Sequence, residues 1–160
     1  MNGALDSCEA GSIEHILETD GVYPSITSGR SMRPLFKTHR DMIVVKRCDE
    51  RPRKYDVVLY RIGEKYILHR IIGTDEEKKL FIIRGDNTYK KEYVPFSKVI
   101  ARLTSFTRKG KHGSVDDRSY KVYSRIWNFI YPIRYVIYLL KRIAGRVLRL
   151  VFKKTKNKAT

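Results

Sequence analysis

Acidic residues stop at Asp117. From Arg118 to Thr160 the chain carries twelve lysines and arginines and no aspartate or glutamate. Of a formal net charge of +17, that tail holds +12 and residues 1–117 only +5, so a near-ordinary body ends in a strongly cationic segment. Such a surplus points to a polyanionic partner, either nucleic acid or an anionic membrane surface. Cysteine is scarce: Cys8 and Cys48 lie far apart, with no Cys-x-x-Cys or Cys/His spacing around them. That argues against a metal centre and for free thiols in a reducing compartment, and no cofactor is expected. The first residues, "MNGALDSCEAGSIEHILETDG", lack a basic n-region and an apolar h-region, which predicts neither a signal peptide nor an N-terminal membrane anchor. Long apolar runs are missing too. The longest uncharged stretches of the tail are Ile126–Ile133 and Tyr135–Leu140, far short of the roughly 20 residues a spanning helix requires. No repeat of solenoid length is present.

What remains is enough for one domain with a modest core: 160 residues, 42% of them hydrophobic. "SIEHILETDG" reads as a short helix with Ile13, Ile16 and Leu17 on one face and Gly21 beyond its end. Turn-rich sequence follows. Then come five short runs rich in β-branched residues, at 42–46, 55–61, 66–73, 79–85 and 98–106, separated by charged or turn segments. Runs of that length and spacing predict a compact, mostly β domain of hairpin-joined strands. "RDMIVV" and "YDVVLY" echo one another as two similar strand entries. Past "RKGKHGSVDD" the period becomes helical, with Ile126, Ile130, Ile133, Ile137, Leu140, Ala144, Val147 and Val151 three or four apart. Pro132 should break or kink that helix. The expected division is a lead-in over 1–24, a β domain over 25–110 and a basic helical tail over 118–160.

One loop carries candidate chemistry. In "SGRSMRPLF", residues 28–36, small residues precede Ser31 and permit a tight turn that exposes backbone N–H groups. Such a turn can present a hydroxyl and donate to a developing oxyanion from the same place. A serine becomes a useful nucleophile only with a base within hydrogen-bond reach. Of four histidines, His15, His39 and His112 fall in exposed-looking settings. His69, inside "YILHRII", shares a strand face with Ile67 and Ile71. A histidine at the edge of the core, bonded to a backbone carbonyl, is the purely structural alternative.

Taken together, "SGRSMRP", "RDMIVV", "YDVVLY", "LHRIIG" and "RGDNT" resemble, in this order, the sequence boxes of type I signal peptidases and their LexA-like relatives, over about residues 25–105. The resemblance is closest to the signal peptidases that use histidine, rather than lysine, as base. It implies a LexA/signal-peptidase-like β fold, with Ser31 as nucleophile and His69 as general base. It also implies an oxyanion site formed by the Ser31 backbone N–H and shaped by the turn at Gly29. The third member is either Asp86 of "GDN" or Glu92, six residues on. Unlike those relatives the chain shows no leading transmembrane segment, which leaves its substrate more open than its chemistry.

The tail reads best as an interfacial helix. Trp127, Tyr131, Tyr135 and Tyr138 supply amphipathic rings, and Arg134, Lys141, Arg142, Arg146 and Arg149 supply charge. Packing of the stripe on the β body is the second possibility and nucleic-acid binding the third. The expectation is therefore a serine endopeptidase that cleaves a peptide or preprotein, held peripherally at a membrane and by default on its cytoplasmic face. The alternatives are a non-catalytic membrane- or nucleic-acid-binding module on the same scaffold, or a LexA-like self-processing regulator. Residues 1–24 are too short for a helix-turn-helix domain, which weakens the regulator.

Overall fold

Alternating and fully apolar runs become strands where the sequence expects them, and a computed structural model of the protein describes residues 10–156. Its elements are α1 (Ala10–Thr19), β1 (Val22–Ile26), β2 (Met42–Arg47), β3 (Val57–Ile62), β4 (Lys65–Asp75), β5 (Leu80–Arg84), β6 (Glu92–Pro95), a 3-10 turn at Phe96–Lys98, β7 (Val99–Arg108), β8 (Lys111–Ser114), α2 (Arg118–Phe129) and α3 (Tyr131–Lys156). The described residues are thus mostly β, with one antiparallel sheet of eight strands in the order β1-β2-β7-β3-β4-β5-β6, and β8 paired with β7.

The central strands are buried on both faces. In β3, Val57 and Leu59 enter one apolar cluster with Ile13, Leu17, Phe36, Ile43 and Leu68, while Val58 and Tyr60 enter a second with Ile67, Ile71, Phe81, Ile83 and Val94. Side chains alternate across a pleated strand, so a continuous apolar run feeds both. Burying each such side chain stabilises the fold by about 1.5–3 kcal/mol.

Three strands lie where the sequence suggested turns or loops. β1 and β6 are edge strands carrying Pro24 and Pro95; an edge tolerates a proline because one side of the strand needs no N–H donor. β8 follows a tight turn in which Lys109 and Gly110 both have positive φ, 53° and 75°, the conformation of a two-residue hairpin. The two echoed strand entries share a device. Asp41 accepts the Lys37 N–H at 2.8 Å and Asp56 accepts the Arg53 N–H at 2.8 Å. Each carboxylate closes the turn just ahead of its strand.

The boundary of the tail differs from expectation. The chain divides into two units between Arg125 and Ile126, not at residue 118. The first turns of α2 belong to the body because Tyr120 and Ser124 are buried there. In the second unit, α2 gives way to α3 beside Pro132, whose ring cannot continue a helix at its own N–H. Along α3, Ile133, Val136, Ile137, Leu140 and Ile143 form an exposed apolar row. Lys141, Arg142, Arg146 and Arg149 are exposed; at 3.6 residues per turn Arg142 and Arg149 fall opposite that row, and Lys141 and Arg146 lie on its flanks. Arg134 lies over the Trp127 ring at 3.7 Å, and Tyr131, Tyr135 and Tyr138 stack in succession. The side chains of Val147 and Val151 lie outside the described residues, as does Cys8. No described helix is long and apolar enough to cross a membrane.

Candidate active site

Ser31 sits on the excursion between β1 and β2, which is closed at its base by backbone and side-chain bonds. The Thr27 N–H donates to the Asp41 carbonyl at 3.0 Å, the Thr27 hydroxyl donates to the Lys37 carbonyl at 2.9 Å, and the His39 N–H donates to the Thr27 carbonyl at 2.8 Å. Burial alone would raise the pKa of Asp41, but hydrogen bonds from Arg40 and the Lys37 N–H outweigh it and hold the carboxyl below its ordinary value. Met32, Leu35 and Phe36 drop from the loop into the core. Gly29 has φ 78°, a left-handed conformation natural to glycine, and its carbonyl accepts the Thr38 hydroxyl. Ser31 is thereby held at a rigid corner, 6% exposed.

His69 comes from β4, opposite Val58 of β3, on the face that also carries Ile67 and Ile71. It is 3% exposed. Its Nδ1 lies 3.0 Å from the Tyr60 hydroxyl oxygen and 3.3 Å from Glu92 Oε2, and the Tyr60 hydroxyl donates to that same carboxylate oxygen. The hydrogen bond from His69 holds Glu92 below the usual carboxylate range; Tyr60 and nearby Lys90 act in the same direction, against partial burial. Burial, then the Glu92 carboxylate, pushes the Tyr60 phenol far above its ordinary value, so it stays a donor. An ionised carboxylate only accepts, so the network assigns the ring proton to Nδ1. Nε2 is left bare. It is buried and has no hydrogen-bond partner among the described residues, so the Ser31 hydroxyl does not bond it here.

The "GDN" turn joins nucleophile and base. A Cβ at Gly85 would lie 2.8 Å from the Ser31 carbonyl oxygen and 2.9 Å from His69 Nε2. Both atoms therefore face one small volume that only a glycine leaves open. The Asn87 N–H donates to the Ser31 carbonyl at 2.7 Å, and the Asn87 side-chain amide donates to the Arg30 carbonyl at 3.2 Å. Beside Ser31, a pocket walled by Ser28, Met32, Phe36 and Leu68 has about 10 Å³ of free space, room for one water-sized group. The Ser28 hydroxyl on its wall is buried with no hydrogen-bond partner among the described residues.

Asp86 is engaged elsewhere. Its two oxygens accept Arg70 Nε and Nη2, each at 2.8 Å, in a buried bidentate pair. Burial opposes the charge on Arg70, but Asp86 outweighs it and raises the guanidinium's pKa. Arg70 also donates to Ser124 at 2.8 Å and to the Tyr55 carbonyl at 2.9 Å. Of the two acids left open by the sequence, Glu92 is the one on His69 Nδ1, while Asp86 braces the turn from behind. His15, His39 and His112 are exposed. Cys48 is half-buried, and its thiol is pushed up to about 11, mainly by burial, which leaves it a poor nucleophile. Sequence reasoning did not single out Tyr60, Gly85 or Asn87. The Gly-Asp-Asn spelling drew attention to its charged member, while its neighbours make the contacts to Ser31 and His69.

No protein-family model matches the chain, and no curated protein matches it.

Proposed function

We propose that this protein is a serine endopeptidase with a LexA/signal-peptidase-like β domain, acting on a peptide or preprotein at a membrane surface. One observation carries the reading. His69 keeps a buried Nε2 that has no hydrogen-bond partner among the described residues and that lies, with the Ser31 backbone carbonyl, against the open position at Gly85, while Glu92 lies on its other nitrogen. A histidine kept only for packing would not be expected to leave a buried ring nitrogen without a partner.

The chemistry follows from those positions. Ser31 Oγ attacks the substrate carbonyl carbon while His69 Nε2 takes the hydroxyl proton. Glu92 keeps the ring in register and offsets the positive charge of the imidazolium. The Ser31 backbone N–H, on the turn shaped by Gly29, donates to the oxyanion. Nε2 then gives its proton to the leaving amine, and water, activated by the same nitrogen, releases the acyl group. The bond between Ser31 Oγ and Nε2 has to form when substrate enters, as catalytic bonds that are long in unliganded enzymes commonly do. The exposed apolar row of α3 and the cations opposite and flanking it support a peripheral membrane site better than nucleic acid, because phosphate contact gives no reason for an aliphatic stripe.

The test is incubation of purified protein with candidate precursor peptides, read by mass spectrometry. Wild type should yield defined cleavage products. Ser31→Ala and His69→Ala should yield none, and the double variant should be no worse than either, since the two act as a unit. Cleavage undiminished in Ser31→Ala would leave only the non-catalytic module.

A further inference from the structure

The phenol of Tyr60 is an unexplained expense if its role is packing. Tyr60 is 0% exposed, among Val58, Ile67, Ile71, Phe81, Ile83 and Val94. Phenylalanine would fill that space without burying a hydroxyl, which is costly unless fully bonded. Among the described residues the hydroxyl's partners are His69 Nδ1 at 3.0 Å and Glu92 Oε2. Both belong to the proposed centre. We infer that Tyr60 is the positioning residue of that centre: His69 Nδ1–H donates to the phenol oxygen, the phenol donates to Glu92, and the carboxylate acts on the imidazole largely through the tyrosine. The inference rests on the peptidase reading for its meaning, not for its geometry.

Directionality supports it. The phenol has one proton, and Glu92, as an ionised acceptor, takes it. The phenol oxygen can then only accept from Nδ1, and Nδ1 is nearer to it than to Glu92, at 3.0 against 3.3 Å. The opposite tautomer would set the lone pair of Nδ1 against a carboxylate oxygen at 3.3 Å and place the ring's only proton on Nε2, which has no acceptor among the described residues. The linked chain thus selects the tautomer in which Nε2 is a base. Tyr60 and His69 sit on adjacent strands, with Tyr60 two residues from His69's cross-strand partner Val58 and on the same face. The sheet register itself therefore holds the pair.

The experiment uses full-length protein labelled with ¹⁵N-histidine, at a pH where the ring is neutral. Wild-type His69 should show a protonated Nδ1 and a bare Nε2. Tyr60→Phe keeps the ring and should keep the fold, but it should convert His69 to a mixture of tautomers. In the peptide assay it should lower kcat roughly tenfold or more with KM little changed, the loss expected when a general base is misplaced. A wild-type His69 protonated on Nε2 overturns the inference, and this measurement needs no variant to fold. A Tyr60→Phe protein with wild-type tautomer and kcat overturns it equally. If the tautomer responds as expected while wild type cleaves no peptide, the positioning stands and the peptidase reading falls.

Discussion

Gly85 occupies the tightest point between the two halves of the proposed centre. A methyl group there would press on the Ser31 carbonyl oxygen at 2.8 Å and on the His69 ring at 2.9 Å. The carbonyl is backbone tied to Asn87, so it cannot swing aside. Gly85→Ala should therefore displace the imidazole or the serine loop, at a cost of about 1–3 kcal/mol as in overpacked cores. Peptide cleavage should fall at least a hundredfold while circular dichroism still reports a folded sheet. An active Gly85→Ala protein would mean that Ser31 and His69 do not need their present spacing. Part of this was legible from spelling. Ser31 follows small residues, and His69 stands among isoleucines on one strand face. The partner of His69 was not, because Asp86 and Glu92 are equivalent acids until β6 pairs with β5 and brings Glu92 beside the ring.

Adjacent residues of β4 divide their labour. His69 turns to the proposed site, and Arg70, one residue on, turns to the opposite face. There it meets Asp86 together with Tyr120 and Ser124 of α2. Tyr123 of the same helix donates to Asp86 at 3.2 Å. The turn that carries Gly85 and Asn87 is thus braced by a helix from the far end of the sequence. The two acids should consequently separate by assay. Asp86→Asn leaves a buried guanidinium without its counter-charge, so it should cost about 3–5 kcal/mol of stability, with activity lost in step with folding. Glu92→Gln should leave the melting temperature nearly unchanged and lower kcat, since Glu92 is only partly buried and its partners are in the site. Thermal denaturation and cleavage rates on both proteins check this; equal melting losses would place both acids in the scaffold. The five β-branched runs announced their strands through burial. The edges β1 and β6 were hidden by prolines and lysines that one-sided pairing accommodates, and the role of α2 was hidden because nothing in the sequence ties Arg70 and Asp86 to Tyr120, Tyr123 and Ser124 far along the chain.

Charge and contact divide the chain at nearly, but not quite, the same place. The acid-free stretch begins at Arg118, yet the body keeps the helix as far as Arg125, because Tyr120, Tyr123 and Ser124 serve the Arg70–Asp86 pair. A sequence shows where acids stop; it does not show that a basic segment also carries three residues of another unit's core. Two truncations should therefore behave differently. Removing residues 126–160 should leave a folded β body with its melting transition intact, whereas removing residues 119–160 should strip the brace from Arg70 and lower the transition steeply or abolish it. The shorter deletion should also abolish membrane association. The deleted unit holds the exposed row Ile133, Val136, Ile137, Leu140 and Ile143, and each lysine or arginine near an anionic surface contributes about 1 kcal/mol. Full-length protein should sediment with vesicles containing anionic lipid and not with neutral ones. Binding should weaken as salt approaches molar, where the screening length falls to about 3 Å. It should not vanish there, because contact between the apolar row and the acyl boundary is not screened. Co-sedimentation and circular dichroism on the three proteins decide the matter. Full-length protein that ignores anionic vesicles but binds duplex DNA would reassign the tail to nucleic acid, and a 126–160 deletion that unfolds would make α3 part of the body's core.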